Sequence, residues 1–253
     1  MKPFFLLTRR AALPLLAALV LAGCGSLDSG GKPATGDIHV MTSGGFTAAY
    51  NDLRPEFERS SGRSVKTAYG ASMGNADDSI PSRLARNEPA DVVILARPAL
   101  DALVAQGKVV PGSQVDLVRS AIGFAVRKGA PRPDIGTVDA LKRTLIAAPS
   151  IAYSASASGT YYETELLKTL GIEDQVKPKS KRILSERVGT VVARGDAALG
   201  LQQVSELLPV AGIDYIGPLP AEVQRNTVFS AGIASASKQA PLRKWIDAWW
   251  REY

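Results

Sequence analysis

Short apolar, β-branched runs alternate with helical patterns along the chain from Asp37 onwards. A short apolar run predicts a strand, whereas apolar residues three and four positions apart predict a helix. The runs of the first kind cover residues 39–42, 64–69, 91–95, 121–126, 151–153, 198–202, 215–216 and 228–234. The helical patterns cover residues 46–59, 80–86, 99–106, 138–147, 161–170, 188–194 and 242–250. This alternation predicts an α/β fold with largely parallel sheets.

The first 23 residues have a different pattern, that of a secretory signal. Lys2, Arg9 and Arg10 precede an apolar stretch, residues 11–21, which is too short to span a bilayer. The tetrapeptide LAGC that follows resembles a lipobox, the site at which bacterial lipoproteins are cleaved before an acylated cysteine. It ends at Cys24, the only cysteine of the chain. We therefore expect residues 1–23 to be a lipoprotein signal peptide and Cys24 to be the point of lipid attachment.

The polar, glycine-rich composition of residues 24–36 predicts a flexible tether. A lipid anchor places the protein on the periplasmic side of a bacterial membrane. Gly25 stands where an aspartate is associated with retention in the inner membrane, so in a Gram-negative cell we expect the outer membrane.

Charge and composition exclude several classes of function. Residues 1–23 carry three positive charges and no negative ones, so removing them lowers the formal net charge from +6 to +3. The remaining chain has no basic run interleaved with aromatics, and we expect no nucleic-acid partner. With one histidine and one cysteine, the chain does not favour a Ser-His-Asp site or a His/Cys metal site. We expect neither a metal nor a cofactor.

Three turns that each follow a predicted strand combine glycine with serine or threonine. Their residues are Ser43, Gly44, Gly45, Ser72, Met73, Gly74, Ser156, Ser158, Gly159 and Thr160. Glycine allows close approach of a ligand to the backbone, and helix N-termini attract anions. Because ligands of open α/β sheets bind at the carboxyl ends of strands, the three turns predict a cradle for an oxyanion. Ordinary helix capping by serine and threonine is the alternative.

The order of five segments resembles that of bacterial periplasmic solute-binding proteins of the molybdate-binding type. The segments are TSGG, YGASMG, RLARNEPADVVIL, SASASGTYYETELLKTLGI and VVARGDAALGLQQVSEL. The resemblance implies a two-lobe, periplasmic-binding-protein-like type II fold, in which helices flank a mixed, mostly parallel sheet in each lobe and the ligand lies in the cleft between them. We expect lobe 1 to comprise residues 37–118 and 227–253, and lobe 2 residues 119–226.

The resemblance also implies a function. Solute-binding proteins of this type capture a small anion for an ABC permease, and we expect the chain to act as a monomer. The sequence departs from the molybdate binders at Gly45, where they place a serine, and at Gln203, where they use a tyrosine. The leading interpretation is a solute-binding lipoprotein for a small oxyanion or polycarboxylate.

A closer likeness is to the branch of this family that includes bacterial aconitate isomerase, which interconverts cis- and trans-aconitate. The segments SGG, SMG, IPSRLARNEPADVV, SASG and VVARGDAALGLQQ carry it. This likeness implies a tricarboxylate in the cleft, and isomerase activity is the alternative function.

Four further residues are assigned roles by their position near the inferred cleft. Gln203 is expected to close the cradle from the second lobe. Arg97 could bind a substrate carboxylate, although a surface ion pair is the alternative. An isomerase also needs a base, for which Glu186 and Tyr153 are the candidates; an exposed carboxylate is the alternative for Glu186.

Overall fold

The computed structural model of the protein describes residues 36–239. Its strands are β1 (Ile38–Ser43), β2 (Val65–Gly70), β3 (Val92–Ala96), β4 (Val115–Ser120), β5 (Ile122–Arg127), β6 (Ile151–Ser154), β7 (Ser180–Ile183), β8 (Leu199–Gln203), β9 (Ile213–Pro218) and β10 (Thr227–Ile233). Its α-helices are α1 (Gly44–Ser61), α2 (Ile80–Ala85), α3 (Arg97–Ala105), α4 (Val138–Ala147), α5 (Ala157–Tyr161), α6 (Leu167–Thr169), α7 (Glu173–Val176), α8 (Val188–Arg194) and α9 (Val204–Leu207).

Within residues 36–239, the strands form two separate five-stranded sheets. The first has the order β2-β1-β3-β10-β4, with β1 parallel to β2 and β3, and β10 antiparallel to both of its neighbours. The second has the order β7-β6-β8-β5-β9, with β6 parallel to β7 and β8, and β5 antiparallel to β8 and β9. The chain passes to the second sheet between β4 and β5 and returns between β9 and β10. These mixed sheets confirm the expected two-lobe α/β fold.

Each sheet has its own hydrophobic core. In the first lobe Phe46 and Tyr50, on the inner face of α1, pack against β10 through Phe229. In the second lobe Phe124 of β5 packs with residues of α4 and α5, among them Leu141. Each lobe therefore buries most of its apolar residues in a core of its own.

Most elements follow the sequence pattern, but the four-residue helices α7 and α9 were not predicted, and three further differences occur. β7 was not predicted, because it is a four-residue strand at the edge of its sheet and three of its residues are polar. The predicted helix 161–170 is interrupted by a π-helical turn, Tyr162–Leu166. The predicted strand 121–126 corresponds to β5, whereas β4, directly before it, was not predicted and belongs to the other sheet.

Several expectations from the sequence lie outside the described residues. These are the signal peptide 1–23, Cys24, nearly all of the tether 24–36 and the helix 242–250. Within residues 36–239, no helix combines the length and the apolar character needed to cross a membrane.

Candidate functional site

A cavity of about 480 Å³ lies between the two lobes. Both lobes contribute to its walls: Gly44, Thr47, Asn51, Tyr69, Gly70, Ala71 and Asp78 from the first, and Ser154, Ala155, Ser156, Ile183, Leu184, Ser185, Glu186, Arg187, Gln202 and Glu206 from the second. Hydroxyl, amide and charged groups are frequent among these residues. The cavity is called the cleft below.

The first helix points its N-terminus at the cleft. Gly44, Thr47 and Asn51 lie three and four positions apart, so they share the face of α1 that lines the cleft. Ser43 is the N-cap of α1, but its side chain accepts no capping hydrogen bond. Its buried Oγ, like that of Thr42, has no hydrogen-bond partner among the described residues. The N-terminus of this 18-residue helix therefore presents the partial positive charge of the helix dipole to the cleft.

The carboxyl group of Glu206, on α9, lies directly against the start of α1. A Cβ atom at Gly44 would be 2.1 Å from Glu206 Oε2, so the carboxyl group fits there because residue 44 is glycine. Gln202 Nε2 donates a hydrogen bond to Glu206 Oε2 at 2.6 Å. Gln202 Oε1 in turn accepts a hydrogen bond from Val188 N at 3.0 Å, which fixes the orientation of the amide.

Burial changes the acidity of Glu206. The residue is 8% exposed, and desolvation raises its pKa from 4.5 to about 7. The charge of Arg187 and the hydrogen bond from Gln202 act in the opposite direction and lower the pKa. A carboxyl group with a pKa near neutrality exchanges protons readily at physiological pH.

Arg187 contributes a positive charge to the cleft wall. It is the N-cap of α8 and is half-buried. Its guanidinium makes no hydrogen bond or ion pair with the described part of the chain, although its charge reaches Glu206. A planar guanidinium without a protein partner can bind a carboxylate in bidentate geometry.

Hydroxyl, amide and carboxylate groups line the remaining walls. Tyr69 OH donates to Asn51 Oδ1 at 2.7 Å on the first lobe. Ser185 Oγ donates to Asp78 Oδ1 at 3.3 Å and thereby joins the rims of the two lobes. Behind the cleft, Ser205 Oγ of the second lobe donates to Gly45 O of the first at 2.8 Å.

Of the site residues predicted from the sequence, Gly44, Ser156 and Glu186 line the cleft. Both carboxylate oxygens of Glu186 accept hydrogen bonds from Arg194, at 2.7 and 3.0 Å. These hydrogen bonds lower the pKa of Glu186. The structure thus places Glu186 at the cleft as an exposed carboxylate held by an arginine.

Three predicted residues are buried behind the turns. Ser72 Oγ accepts a hydrogen bond from Ala96 N at 3.0 Å, and the residue is 0% exposed. Ser158 Oγ shares a hydrogen bond of 3.1 Å with Ser154 Oγ, which itself reaches the cleft wall. Gly159 packs so closely that a Cβ would lie 1.7 Å from Ser154 O. These contacts stabilise the turns that form the cleft wall.

Another three lie away from the cleft wall. Arg97 forms ion pairs with Asp101 and Asp116, at 2.9 and 2.8 Å. The amide of Gln203 is 2.7 Å from Thr227 Oγ1 and can donate to Ser120 O at 3.0 Å when its nitrogen faces that atom. Gln203 therefore joins the two segments that cross between the lobes. Tyr153 packs in the core of the second lobe, and burial raises its pKa.

The other predicted residues are distributed around the turns. Gly45 lies against Phe229, with a Cβ position 2.0 Å from Cζ of that ring. Met73 packs on the first-lobe core, and Gly74 has a φ of +91°, which favours glycine. Ser43 is buried as described above, and Thr160 is half-buried in α5. As ligand contacts, these residues stay predictions.

Sequence reasoning missed Arg187 and Glu206. Glu206 stands in the four-residue helix α9, and a single glutamate in such a segment has the appearance of a solvent-exposed residue. Its burial results from the packing of α9 on α1, a contact between residues about 160 positions apart. In residues 36–239, no group of three or more histidine, cysteine, aspartate and glutamate side chains could hold a metal ion.

Two α/β lobes with a polar cleft between them define a ligand-binding protein of the two-lobed periplasmic class. The family model described as bacterial extracellular solute-binding protein matches residues 38–249, and the chain belongs to this family.

Two relatives of known name are similar in sequence. Aconitate isomerase of a Pseudomonas species is 45% identical over 228 residues, which cover 89% of this chain and 86% of that protein. Molybdate-binding protein ModA of Azotobacter vinelandii is 28% identical over 199 residues, covering 76% of this chain and 74% of the relative. Among solved structures, the periplasmic molybdate-binding protein of Azotobacter vinelandii superposes with a TM-score of 0.66 at 20% identity, covering 85% of this chain and 93% of that one. That likeness supports the type II fold.

Proposed function

We propose that the protein binds a small polycarboxylate in the cleft and isomerises it, as an aconitate isomerase interconverts cis- and trans-aconitate. One observation carries the proposal: the guanidinium of Arg187 and a buried, ionisable carboxyl group line the same cavity. The first group suits an anionic carboxylate, and the second suits a reaction that moves a proton.

The size of the cleft supports an organic ligand. A volume of about 480 Å³ lies within the range of roughly 300–1,000 Å³ that is usual for small-molecule sites. A tetrahedral inorganic oxyanion would leave most of it to water. A tricarboxylate can instead reach Arg187, the N-terminus of α1 and the serines of the second lobe together.

Hydrogen bonds from these groups can account for micromolar binding of an anionic ligand. A hydrogen bond to a charged group contributes about 1.5 to 3 kcal/mol, and a micromolar dissociation constant requires about 8 kcal/mol. Five or six such bonds supply about 7.5 to 18 kcal/mol in total, so over most of this range they leave a margin for the entropy cost of association.

Sequence similarity supports the reaction class. At 45% identity across most of both chains, the relationship to the Pseudomonas aconitate isomerase is much closer than that to ModA. This difference supports isomerisation over capture, the reverse of the order that the sequence motifs alone favour.

Interconversion of the aconitates requires an allylic proton shift. A base removes a proton from the methylene carbon, the negative charge spreads over the allyl system and the adjoining carboxylate, and a proton is returned at the other end. Arg187 and the N-terminus of α1 would stabilise the charge that develops on the carboxylate.

The test is an assay of the purified full-length protein, solubilised in mild detergent, with cis-aconitate and trans-aconitate supplied separately. We expect both reactions to approach the same mixture, followed by the olefinic proton resonances. Arg187→Leu, purified in parallel, controls for contaminating activity and should lower kcat/KM at least tenfold, because one charged hydrogen-bonding partner is lost. Absence of interconversion in either direction by the wild-type protein would refute the isomerase proposal.

Capture of a small oxyanion or polycarboxylate for an ABC transporter is the second candidate. The observation in its favour is membership of the extracellular solute-binding family, together with the ModA relative. Tight binding of an anion without any interconversion would support this candidate instead.

We also propose the cellular setting and the lobe limits that the sequence predicts. Cleavage after residue 23, acylation of Cys24 and a tether to residue 36 would hold the protein at the periplasmic face of a membrane. Mass spectrometry of the N-terminal peptide tests the acylation. The proposed lobes are residues 37–118 with 227–253, and residues 119–226.

A further inference from the structure

We infer that the carboxyl group of Glu206 takes the proton from the methylene carbon of the substrate and returns it to the other end of the allyl system. This inference rests on the proposed isomerisation and assigns its base.

The geometry of the carboxyl group suits this role. Glu206 Oε2 is held by the hydrogen bond from Gln202. Glu206 Oε1 makes no hydrogen bond within residues 36–239, and the side chain borders the cleft. One oxygen is therefore fixed by the protein, while the other can accept a proton from a bound molecule.

A continuous chain of contacts holds this arrangement. The backbone N–H of Val188, in the first turn of α8, donates to Gln202 Oε1, so the amide nitrogen of Gln202 must face Glu206. On the opposite side the carboxyl group rests on Gly44 at the start of α1. Elements of both lobes thus position Glu206, and a substrate held between the lobes meets it.

The other acidic groups of the cleft are less suited to accept a proton. Glu186 is paired with Arg194, which lowers its pKa and makes it a weaker base. Asp78 accepts a hydrogen bond from Ser185 at the rim. The buried Glu206 has a pKa of about 7, and Arg187 is the charged group that acts on it from α8. A base is most effective when its pKa lies near the working pH.

Glu206 alone can carry out both proton transfers of the reaction. Ionised Glu206 breaks the C–H bond of the methylene carbon and becomes the neutral acid, while the bonding electrons enter the allyl system and the adjoining carboxylate. The neutral acid then forms a C–H bond at the former olefinic carbon, and the double bond shifts by one position. Glu206 is ionised again at the end, and no oxidant, reductant or co-reactant is consumed.

The decisive experiment compares the full-length wild-type protein with Glu206→Gln at pH 8. Glutamine has nearly the same shape and can still accept the hydrogen bond from Gln202, but it cannot take a proton. We expect the variant to bind cis-aconitate with a dissociation constant within fivefold of the wild-type value and to lose isomerisation by at least 100-fold, since a general base contributes about 10² to 10⁴. Glu222→Gln, at an exposed position outside the cleft, is the matched control and should keep full activity.

Exchange of the substrate methylene protons in D₂O provides a second measurement. The wild-type protein should exchange them or transfer them within the substrate, whereas Glu206→Gln should do neither. If Glu206→Gln fails to fold or to bind, Glu206→Asp replaces it, and its activity should fall while its binding persists, because the carboxyl group is withdrawn by one methylene.

The possible results separate the two proposals. An active wild-type protein with a Glu206→Gln variant within threefold of its rate would overturn the role of Glu206 and leave the isomerase proposal standing. A wild-type protein that binds aconitate without converting or exchanging it would overturn both.

Discussion

At the scale of single residues, Glu206 links the cleft to the stability of the fold. Its pKa is raised to about 7 from 4.5 by burial, so folding favours its neutral form. The resulting stabilisation is complete below about pH 4.5 and is lost as the pH rises through about 7. Integrated over this window, the loss is on the order of 3 kcal/mol.

We therefore expect Glu206→Gln, which stays neutral, to gain stability relative to the wild-type protein as the pH rises from 5 to 8. The measurement is the free energy of unfolding in urea at several pH values, with Glu222→Gln as the exposed control. A difference between wild type and Glu206→Gln that is constant over this range would show that the Glu206 carboxyl group is not desolvated.

Individual residues were also the hardest to predict from the sequence. The serine and glycine turns can be predicted, because glycine combined with serine or threonine follows three of the predicted strands. Glu206 has no such local signal, since its burial depends on α1, which is remote in the sequence. Ser72 illustrates the converse. Its position in a glycine- and serine-rich turn suggests a ligand contact, whereas in the structure its hydroxyl group accepts a hydrogen bond from the backbone N–H of Ala96.

At the scale of elements, the turn between β6 and α5 shows how backbone packing builds the cleft wall. A Cβ at Gly159 would lie 1.7 Å from the carbonyl oxygen of Ser154, and a backbone atom in that position cannot move aside cheaply. We expect Gly159→Ala to destabilise the protein by about 2 to 4 kcal/mol and to weaken ligand binding, because Ser154 and Ser156 line the cleft.

Gly171→Ala is the matched control for this prediction. Gly171 also lies in the second lobe, where a Cβ would meet nothing within 4 Å, but its φ of +64° favours glycine. The expected cost is about 1 kcal/mol, without loss of binding. Equal urea midpoints for the two variants would contradict the packing argument.

The accuracy of the element predictions follows from where each element lies in the fold. β5 and α4 agree within a residue or two with the sequence pattern, since the former is buried on both faces and the latter has one apolar face. The edge strand β7 has the sequence SKRI, in which only the isoleucine is buried, so it offers no apolar run to detect. Its pairing with β6 is a tertiary effect.

At the scale of the whole molecule, the two-lobe fold was predictable because the order of motifs is preserved over the length of the chain. The chemistry of the cleft was not, since its walls combine α1 and β2 of one lobe with β6, β7, β8 and α9 of the other. Residues that meet across such a cleft are far apart in the sequence, and no local sequence pattern predicts that they will be in contact.

Ligand binding should therefore stabilise the molecule as a whole, because a ligand held by both lobes is bound only in the folded state. At about 100 times its dissociation constant, such a ligand adds roughly 2.7 kcal/mol to the free energy of unfolding. For a chain of this size we expect the melting temperature to rise by about 5 to 11 °C.

The measurement is thermal unfolding with molybdate, tungstate, sulfate, phosphate, citrate, cis-aconitate and trans-aconitate in turn. We expect the aconitates to give the largest rise and Arg187→Leu to reduce it. A rise with molybdate or tungstate alone would contradict the polycarboxylate proposal, because it would mean that the cleft closes on a single small oxyanion.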